Sequence, residues 1–556
     1  MDITHYPILS ILIFLPAVVA GLILVIPMGE FLPRFFALLA AGVNLLLSIA
    51  LFRAFNPAFP GMQFVARVDW IPDLGASYNL GVDGISLFMV LITTFMVFLA
   101  LLSSWGEVER RPRLFSGFIL LLETGLLGIF LSLDLLLFYV FWEIMLVPMY
   151  FLIGLWGGEN RRYATIKLII YTMGSSLLML VGIFALYFLH HAQTGKYTFD
   201  IVQLYETAVP PYALLPMGLA FFVAFAVKSP LLPFHTWLPD AHAEAPISGA
   251  VDITGLLIKT GAYAFLRFFL PLFPDFSAVY APIVVMLALL ANLYGAMVAT
   301  AQDDLKRLIA YSSVSHVGLI ILGIFVLNLQ GIEGALIMMV SIALSSGGLF
   351  ITVGMLHKRS RSKAISQMGG VWKDMPVLGG FFMFFMLAAV GIPGLCNFVG
   401  EFLIFVGAFR ANAIYGVAAT FVMVLTAVYL LWMFWKVMFG PAPERTRSWY
   451  DLSCMEMVTL TLPAIFVVLI GVYPKILLDR IEPSAVALLG RAEKKLALHQ
   501  NGTGLAQKEM HVKQVVSISD SAKRSPLIAE GEGLIKGSKV SGFKGSKVQE
   551  FEGSKE

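Results

Sequence analysis

The sequence predicts an all-α polytopic membrane protein of about 14 transmembrane helices. Three observations carry that expectation. The chain of 556 residues is 59% hydrophobic and only 13% charged, with a mean hydropathy of +0.85, which excludes an ordinary soluble domain. Apolar runs repeatedly reach the ~20 residues needed to cross a ~30 Å hydrocarbon core. Lysine and arginine gather in alternate loops between those runs.

Residues 1–105 hold three N-terminal spans, centred near residues 17, 43 and 92. The first, from about Pro7 to Pro27, lacks a basic leading segment and a small-residue cleavage site, so it reads as a retained span. Residues 106–272 hold five spans, centred near 122, 145, 178, 222 and 258. Residues 273–440 hold five more, near 288, 317, 344, 388 and 425, and a last span near 466 fills 441–478. Two spans are broken by proline: the seventh at Pro230 and Pro233, the twelfth at Pro393. From 479 to 556 the chain turns polar and Lys-rich, with Gly-Ser-Lys recurring at Gly537, Gly545 and Gly553, a composition that predicts disorder.

Orientation follows from the basic loops. One alternate set carries Arg34, Arg110, Arg111, Arg113, Arg161, Arg162, Lys167, Lys306, Arg307, Lys358, Arg359, Arg361, Lys363, Lys373, Lys436, Arg445 and Arg447. The other set carries only Arg53, Arg67, Lys196, Arg267 and Arg410. The first set is expected to be cytoplasmic, which puts both termini on the outer side of a bacterial inner membrane.

Charges at membrane depth are the informative residues, because a central Lys, Arg or Asp costs about 2.5–3.5 kcal/mol to insert. Glu143 lies in "FYVFWEIMLVPMY", far from any basic residue, and Lys228 in "AFAVKSPLLPFH", beside the first proline break. Lys259 lies in "GLLIKTGAYAF", His316 in "AYSSVSHVGLI" and Glu401 in "CNFVGEFLIF", after the second break. Each has a plainer reading: snorkelling for the lysines, packing for His316, helix capping for Glu401 and an arginine partner for Glu143. Glu123 and Asp134 are accessory candidates, the latter read first as a capping carboxylate. Asp240, His242 and Glu244 read as a connecting loop, and Asp252 as locally paired.

Five ionisable groups on five spans suggest a water-linked proton relay, since burial disfavours the charged form of each. The two breaks lie five spans apart, each with its own charge, Lys228 and Glu401. An odd repeat length inverts the second copy, and broken helices in matching positions mark an ion site. Cys396 and Cys454 have no metal-type spacing, and no phosphate loop or dinucleotide fingerprint is present. Metal and cofactor sites are therefore not expected on this chain, and nothing in it suggests nucleic acid.

At these residues the chain resembles the antiporter-like, proton-translocating subunits of respiratory complex I (NADH:quinone oxidoreductase), the subunit M or chain 4 type. The motifs are "LDLLLFYVFWEIMLVPMYFLIGLWGG", "AFAVKSPLLPFHTWLPDAHAEAPISGAVDITGLLIKTGAYAFLRF", "DDLKRLIAYSSVSHVG" and "GIPGLCNFVGEFLIF", within residues 80–475. The resemblance implies two inverted five-helix repeats, spans 4–8 and 9–13. It places the coupling glutamate at Glu143, its partner lysine at Lys228, the central lysine at Lys259, the relay histidine at His316 and the exit glutamate at Glu401. It also implies neighbouring antiporter-like subunits as partners, with FMN, iron–sulfur clusters and quinone on other chains. One departure stands out: Ile342 occupies the place of a histidine usual in the eleventh span, where Ser341 and Ser345 are the polar groups nearby in sequence. Two rival readings follow, a subunit of a multisubunit sodium/proton antiporter or membrane-bound hydrogenase, and a scaffold that has lost pumping.

Overall fold

The computed structural model describes residues 7–105, 108–246, 249, 251, 253–441 and 449–497. Asp252 and the Gly-Ser-Lys repeats lie outside the described residues. Everything described belongs to one compact unit, Met1–Leu498.

Thirteen helices among the described residues are long and apolar enough to cross a membrane. The first three are α1 (Ile8–Val25), α2 (Phe31–Ala54) and α3 (Gly84–Ser104), followed by α4 (Pro112–Leu131). The next passage is jointed at Met145, giving α5 (Leu135–Ile144) and α6 (Leu146–Trp156), and then comes α7 (Arg161–Thr194). The seventh passage is broken, as the prolines predict. Helix α8 (Pro211–Lys228) stops at the lysine, turns run through Pro230 and Pro233, and α9 (Trp237–Glu244) resumes. Asp240, His242 and Glu244 thus belong to a half-helix and not to a loop, a correction to the sequence reading.

Helix α10 (Gly255–Leu272) is followed by α11 (Pro274–Thr300), α12 (Leu305–Phe325) and α13 (Leu329–Ser360). The twelfth passage is again broken: α14 (Pro376–Val390) ends before Pro393 and α15 (Cys396–Ala411) follows. Neither half is long enough to span alone, so the pair together makes this one passage and brings the number among the described residues to fourteen. Helices α16 (Ala413–Phe439) and α17 (Cys454–Val472) complete the set.

Local sequence sets the helix starts. Asp83, Asp134, Asp304, Asn328, Asn412 and Ser453 each accept backbone N–H groups of the helix they precede. These caps satisfy amides that the helix leaves free. The apolar stretches of α10 and α13 are enclosed, whereas in α1, α2, α7, α16 and α17 most residues are exposed or only partly buried. The enclosed helices carry Lys259, Ser341, Ile342 and Ser345, all buried.

Two elements depart from the sequence reading. A two-stranded antiparallel hairpin, β1 (Gln63–Ile71) and β2 (Ala76–Val82), interrupts the all-helical pattern between α2 and α3. It is tied down where Arg67 pairs with Asp200 at 2.9 Å and Ser77 donates to Asp134. Residues 475–497 form a further helix, α18, so the polar tail expected from 479 is folded in its first part. Ile481, Ala485 and Leu488 are buried at three- and four-residue spacing, which seats one face of α18 on the body. Ser484 accepts from the Gly84 amide at 3.0 Å, and Lys495 donates to the Leu272 carbonyl at 3.0 Å.

Between those anchors, Arg267 of α10 is ion-paired with Asp83, both buried. Burial works against the Asp83 carboxylate, yet Arg267 and the Ser86 and Ile85 amides hold its pKa below the usual range. Tyr263 accepts from Arg267 Nε at 3.2 Å and donates to the Phe130 carbonyl at 2.9 Å, which ties α10 to α4.

Candidate functional site

The first cluster forms where α8 ends. Lys228 is buried, and its Nζ has no hydrogen-bond partner among the described residues. Trp142 offers its ring face at 5.0 Å, a contact that suits an ammonium removed from water. Glu143 follows Trp142 on α5 and is the charge that acts on Lys228. The two do not close into an ion pair. Glu143 is half-buried beside exposed Ile144 and Val147, and its Oε1 is buried and unpaired.

Lys259 lies on α10 between two π-helical stretches, Ile253–Leu257 and Phe265–Phe269. Such irregular turns recur at functional sites. Gly261, two residues on, meets α8 directly: a Cβ there would sit 2.3 Å from Ser229 Oγ and 2.8 Å from the Phe225 carbonyl oxygen. Only glycine lets the helix bearing Lys259 approach the end of the helix bearing Lys228 so closely. The field of Lys259 reaches His242 on one side and His316 on the other.

The second cluster forms at the other break. His316 Nε2 stands 3.9 Å from Glu401 Oε1, with both side chains about 4% exposed. Both ring nitrogens of His316 and Oε2 of Glu401 are buried without a hydrogen-bond partner. Gly391, in the break, has φ +82°, and a Cβ there would lie 2.3 Å from Glu401 Oε2. The left-handed backbone and the close approach both demand glycine.

Ile342 is fully buried on α13 and supplies no polar atom. Its neighbours engage the first turn of α15: Ser341 Oγ donates to the Cys396 carbonyl at 3.0 Å, and Ser345 Oγ to Asn397 Oδ1 at 3.0 Å. Asn397 Nδ2 remains buried and unpaired. Residues 397 and 401 are four apart on one helix, so this orphan donor and Glu401 share a face. The sequence reading missed Asn397, although its position one turn before Glu401 was a readable signal. His242, read from sequence as part of a loop, is buried on α9 against Phe350 with ring centroids 5.1 Å apart.

The accessory carboxylates stand apart from both clusters. Glu123 accepts from Asn44 at 2.7 Å and faces α1 and α2. Asp134 caps α5 and binds Ser77, so it fills the capping role read for it first. Its pKa lies above the usual range because burial outweighs those hydrogen bonds.

In the first turn of α9, Asp240 joins Lys167 at 2.8 Å and is also paired with Arg307. Lys306 donates to the Ala245 carbonyl at 2.9 Å and Lys363 to the Ala243 carbonyl at 2.7 Å. This basic rim anchors the half-helix at the membrane end where the Lys/Arg-rich loops gather.

Broken helices, with unpaired ionisable groups buried at each break, define a membrane transport subunit of the antiporter type. A family model described as NADH:quinone oxidoreductase/Mrp antiporter, TM, matches residues 132–426, and the chain belongs to that family. All five relay candidates fall inside the matched range. The NADH-quinone oxidoreductase subunit M of Pseudomonas aeruginosa is 43% identical over 463 residues, covering 81% of this chain and 90% of that protein. A chain of respiratory complex I from Thermus thermophilus with bound NADH matches with a TM-score of 0.79 at 32% identity, over 87% of this chain and 99% of that one. A chain of the Mrp complex from Dietzia sp. also has a TM-score of 0.79, over 89% of this chain and 99% of that one, but at 20% identity the likeness is one of fold.

Proposed function

We propose that this chain is a proton-translocating membrane subunit of an NADH:quinone oxidoreductase, and that Glu143, Lys228, Lys259, His316 and Glu401 carry the protons. The observation that carries the reading is the succession of buried ionisable groups across the membrane body, with unpaired atoms at Glu143, Lys228, His316 and Glu401. Buried polar atoms without protein partners are ordinarily satisfied by water. Water between these groups makes the succession a proton path.

In this reading protons enter at the basic rim beside α9, pass Lys228, Lys259 and His316, and leave near Glu401. The ends of the chain lie on the exit side, and spans 4–8 and 9–13 form the two inverted halves. Approach of the Glu143 carboxylate stabilises the Lys228 ammonium, and withdrawal drives its proton onward. Moving each charge against the membrane potential costs about 2.3 kcal/mol per 100 mV. A quinone-linked redox step in partner subunits, which hold the FMN and iron–sulfur clusters, supplies that work.

The sodium/proton antiporter reading draws on the fold shared with the Mrp chain, but subunit M is the stronger sequence match. The pumping-impaired reading draws on Ile342. Ser345 and Asn397 answer it by offering polar atoms where the titratable ring is lacking.

The test is the proton-to-electron ratio of the assembled complex carrying Lys228→Ala. The expected result is a ratio lowered by this chain's share, with NADH oxidation still coupled to quinone reduction. An unchanged ratio would overturn the proposal.

A further inference from the structure

Helices α2, α3, α13 and α17 do not close on one another along their full length. Between them, capped by the start of α18, lies an open groove of about 470 Å³. Its walls are apolar, mostly aliphatic with several phenylalanines, and Phe88, Phe95, Leu344, Phe466 and Ile470 lie along its length. One charged residue stands in the lining, Arg53, in the last turn of α2. Arg53 is exposed and has no hydrogen bond or ion pair among the described residues.

A second guanidinium lies at the same mouth. Arg480 of α18 places its guanidinium 4.2 Å from the centre of the Phe52 ring, and Phe52 itself lines the groove. Nη1 of Arg480 donates to the Ile476 carbonyl at 3.1 Å, but its Nε is buried with no partner. A buried, unsatisfied donor of a permanent cation calls for an anion or water beside it.

The far end of the same helices differs. There a crevice of about 230 Å³ is lined by Trp105, Lys358, Tyr450 and Glu456. The adjacent Arg359 is already held by both oxygens of Glu456, at 3.0 and 2.8 Å. Uncompensated positive charge is therefore found at the Arg53 end, above an apolar slot.

We infer that this groove binds one anionic phospholipid, its phosphate between Arg53 and Arg480 and an acyl chain laid along Phe88, Phe95 and Phe466. Two guanidiniums beside an apolar slot suit a lipid phosphate, because arginine binds phosphate oxygens through paired N–H donors. The slot gives the acyl chain close van der Waals contact, and the head-group charge supplies the selectivity. A transmembrane helix, about 10–12 Å across and ~30 Å long, would not fit within the groove.

The test uses the assembled complex in bilayer discs that contain phosphatidylglycerol or phosphatidylcholine, each with a photoreactive acyl chain. Labelled peptides are mapped by mass spectrometry. The expected result is phosphatidylglycerol adducts on residues 84–104 and 454–472, several-fold above those of phosphatidylcholine. Arg53→Ala with Arg480→Ala should lower phosphatidylglycerol labelling by about fivefold per arginine removed. Leu91→Trp, which fills the slot, should reduce labelling by both lipids. Equal labelling by the two lipids in the unaltered complex would overturn the inference, as would crosslinks from the groove to another subunit in place of lipid. Those two outcomes need no variant to fold.

Discussion

The two broken helices solve the same problem with opposite charges. At the first, the cation Lys228 is the last residue of α8, where the helix carbonyls favour positive charge. At the second, the anion Glu401 lies in the second turn of α15, nearer the amide end. The first cluster opens outward through half-buried Glu143 and the exposed apolar residues beside it. The second is sealed, with His316 and Glu401 both buried. The first cluster therefore has a side chain within reach of the surface of this chain, whereas the paired side chains of the second lie in its interior. Helix polarity accounts for a cation at the carbonyl end of one break and an anion nearer the amide end of the other.

The largest test of that contrast is charge removal at each break. Glu401→Gln keeps shape and is expected to abolish translocation through this chain while leaving NADH oxidation near normal. Lys228→Ala, at the open cluster, is expected to lower translocation as fully and to slow electron transfer as well. Matched effects on electron transfer, measured as NADH oxidation in sealed vesicles, would erase the distinction between input and terminal clusters.

Next come the glycines that guard each break. Gly391→Ala meets both positive φ and the Glu401 carboxylate, and is expected to cost about 1–3 kcal/mol in backbone strain. Gly261→Ala has no φ penalty but drives its Cβ into the Ser229 amide and the Phe225 carbonyl, backbone atoms that cannot turn aside, so its thermal destabilisation should be the larger. Thermal unfolding of the purified complex ranks the two.

A smaller effect is expected at the link past Ile342. Asn397→Leu removes the orphan donor beside Glu401 and should lower translocation a few-fold. Adding Ile342→His to that variant should restore part of the loss by supplying a titratable ring. Proton uptake driven by NADH measures both, and no recovery would show that Asn397 acts through packing alone.

The smallest effect serves as a control far from either break. Burial pulls the Lys495 ammonium down to about 8 from 10.5, against the opposing fields of Asp275 and Glu206. Between those values the released helix binds more protons than the docked one, so docking of α18 strengthens as pH rises through that window. Hydrogen exchange over residues 475–497, corrected for its intrinsic pH dependence, should slow accordingly, and Lys495→Met should flatten the trend. Translocation should not follow it.

Much of this was legible in the sequence because insertion costs make membrane charges conspicuous. Lys228 and Glu401 stand at breaks that Pro230, Pro233 and Pro393 announce, and His316 does meet Glu401. What escaped was what depends on partners distant along the chain. Asn397 looks ordinary until its Nδ2 is seen buried and unpaired. Asp134 caps α5 as its place at a span boundary suggests, but its bonds to Ser77 of the hairpin depend on a distant partner. The hairpin was overlooked although "IPDLGA" is turn chemistry, because its first strand is mostly exposed and lacks a clean buried alternation. Helix α18 was hidden by average polarity, since Ile481, Ala485 and Leu488 form only a narrow stripe.

The caps at the membrane ends carry one more consequence. Asp83, Asp134, Asp304, Asn328, Asn412 and Ser453 fix where their helices begin, so those helices cannot slide or fray to suit a lipid environment. Helix α3 with 21 residues and α12 with 21 residues give the core a rigid height of about 30 Å. In a thicker or thinner bilayer the hydrophobic mismatch must be absorbed by the lipids around the protein, which thin or stretch at its edge.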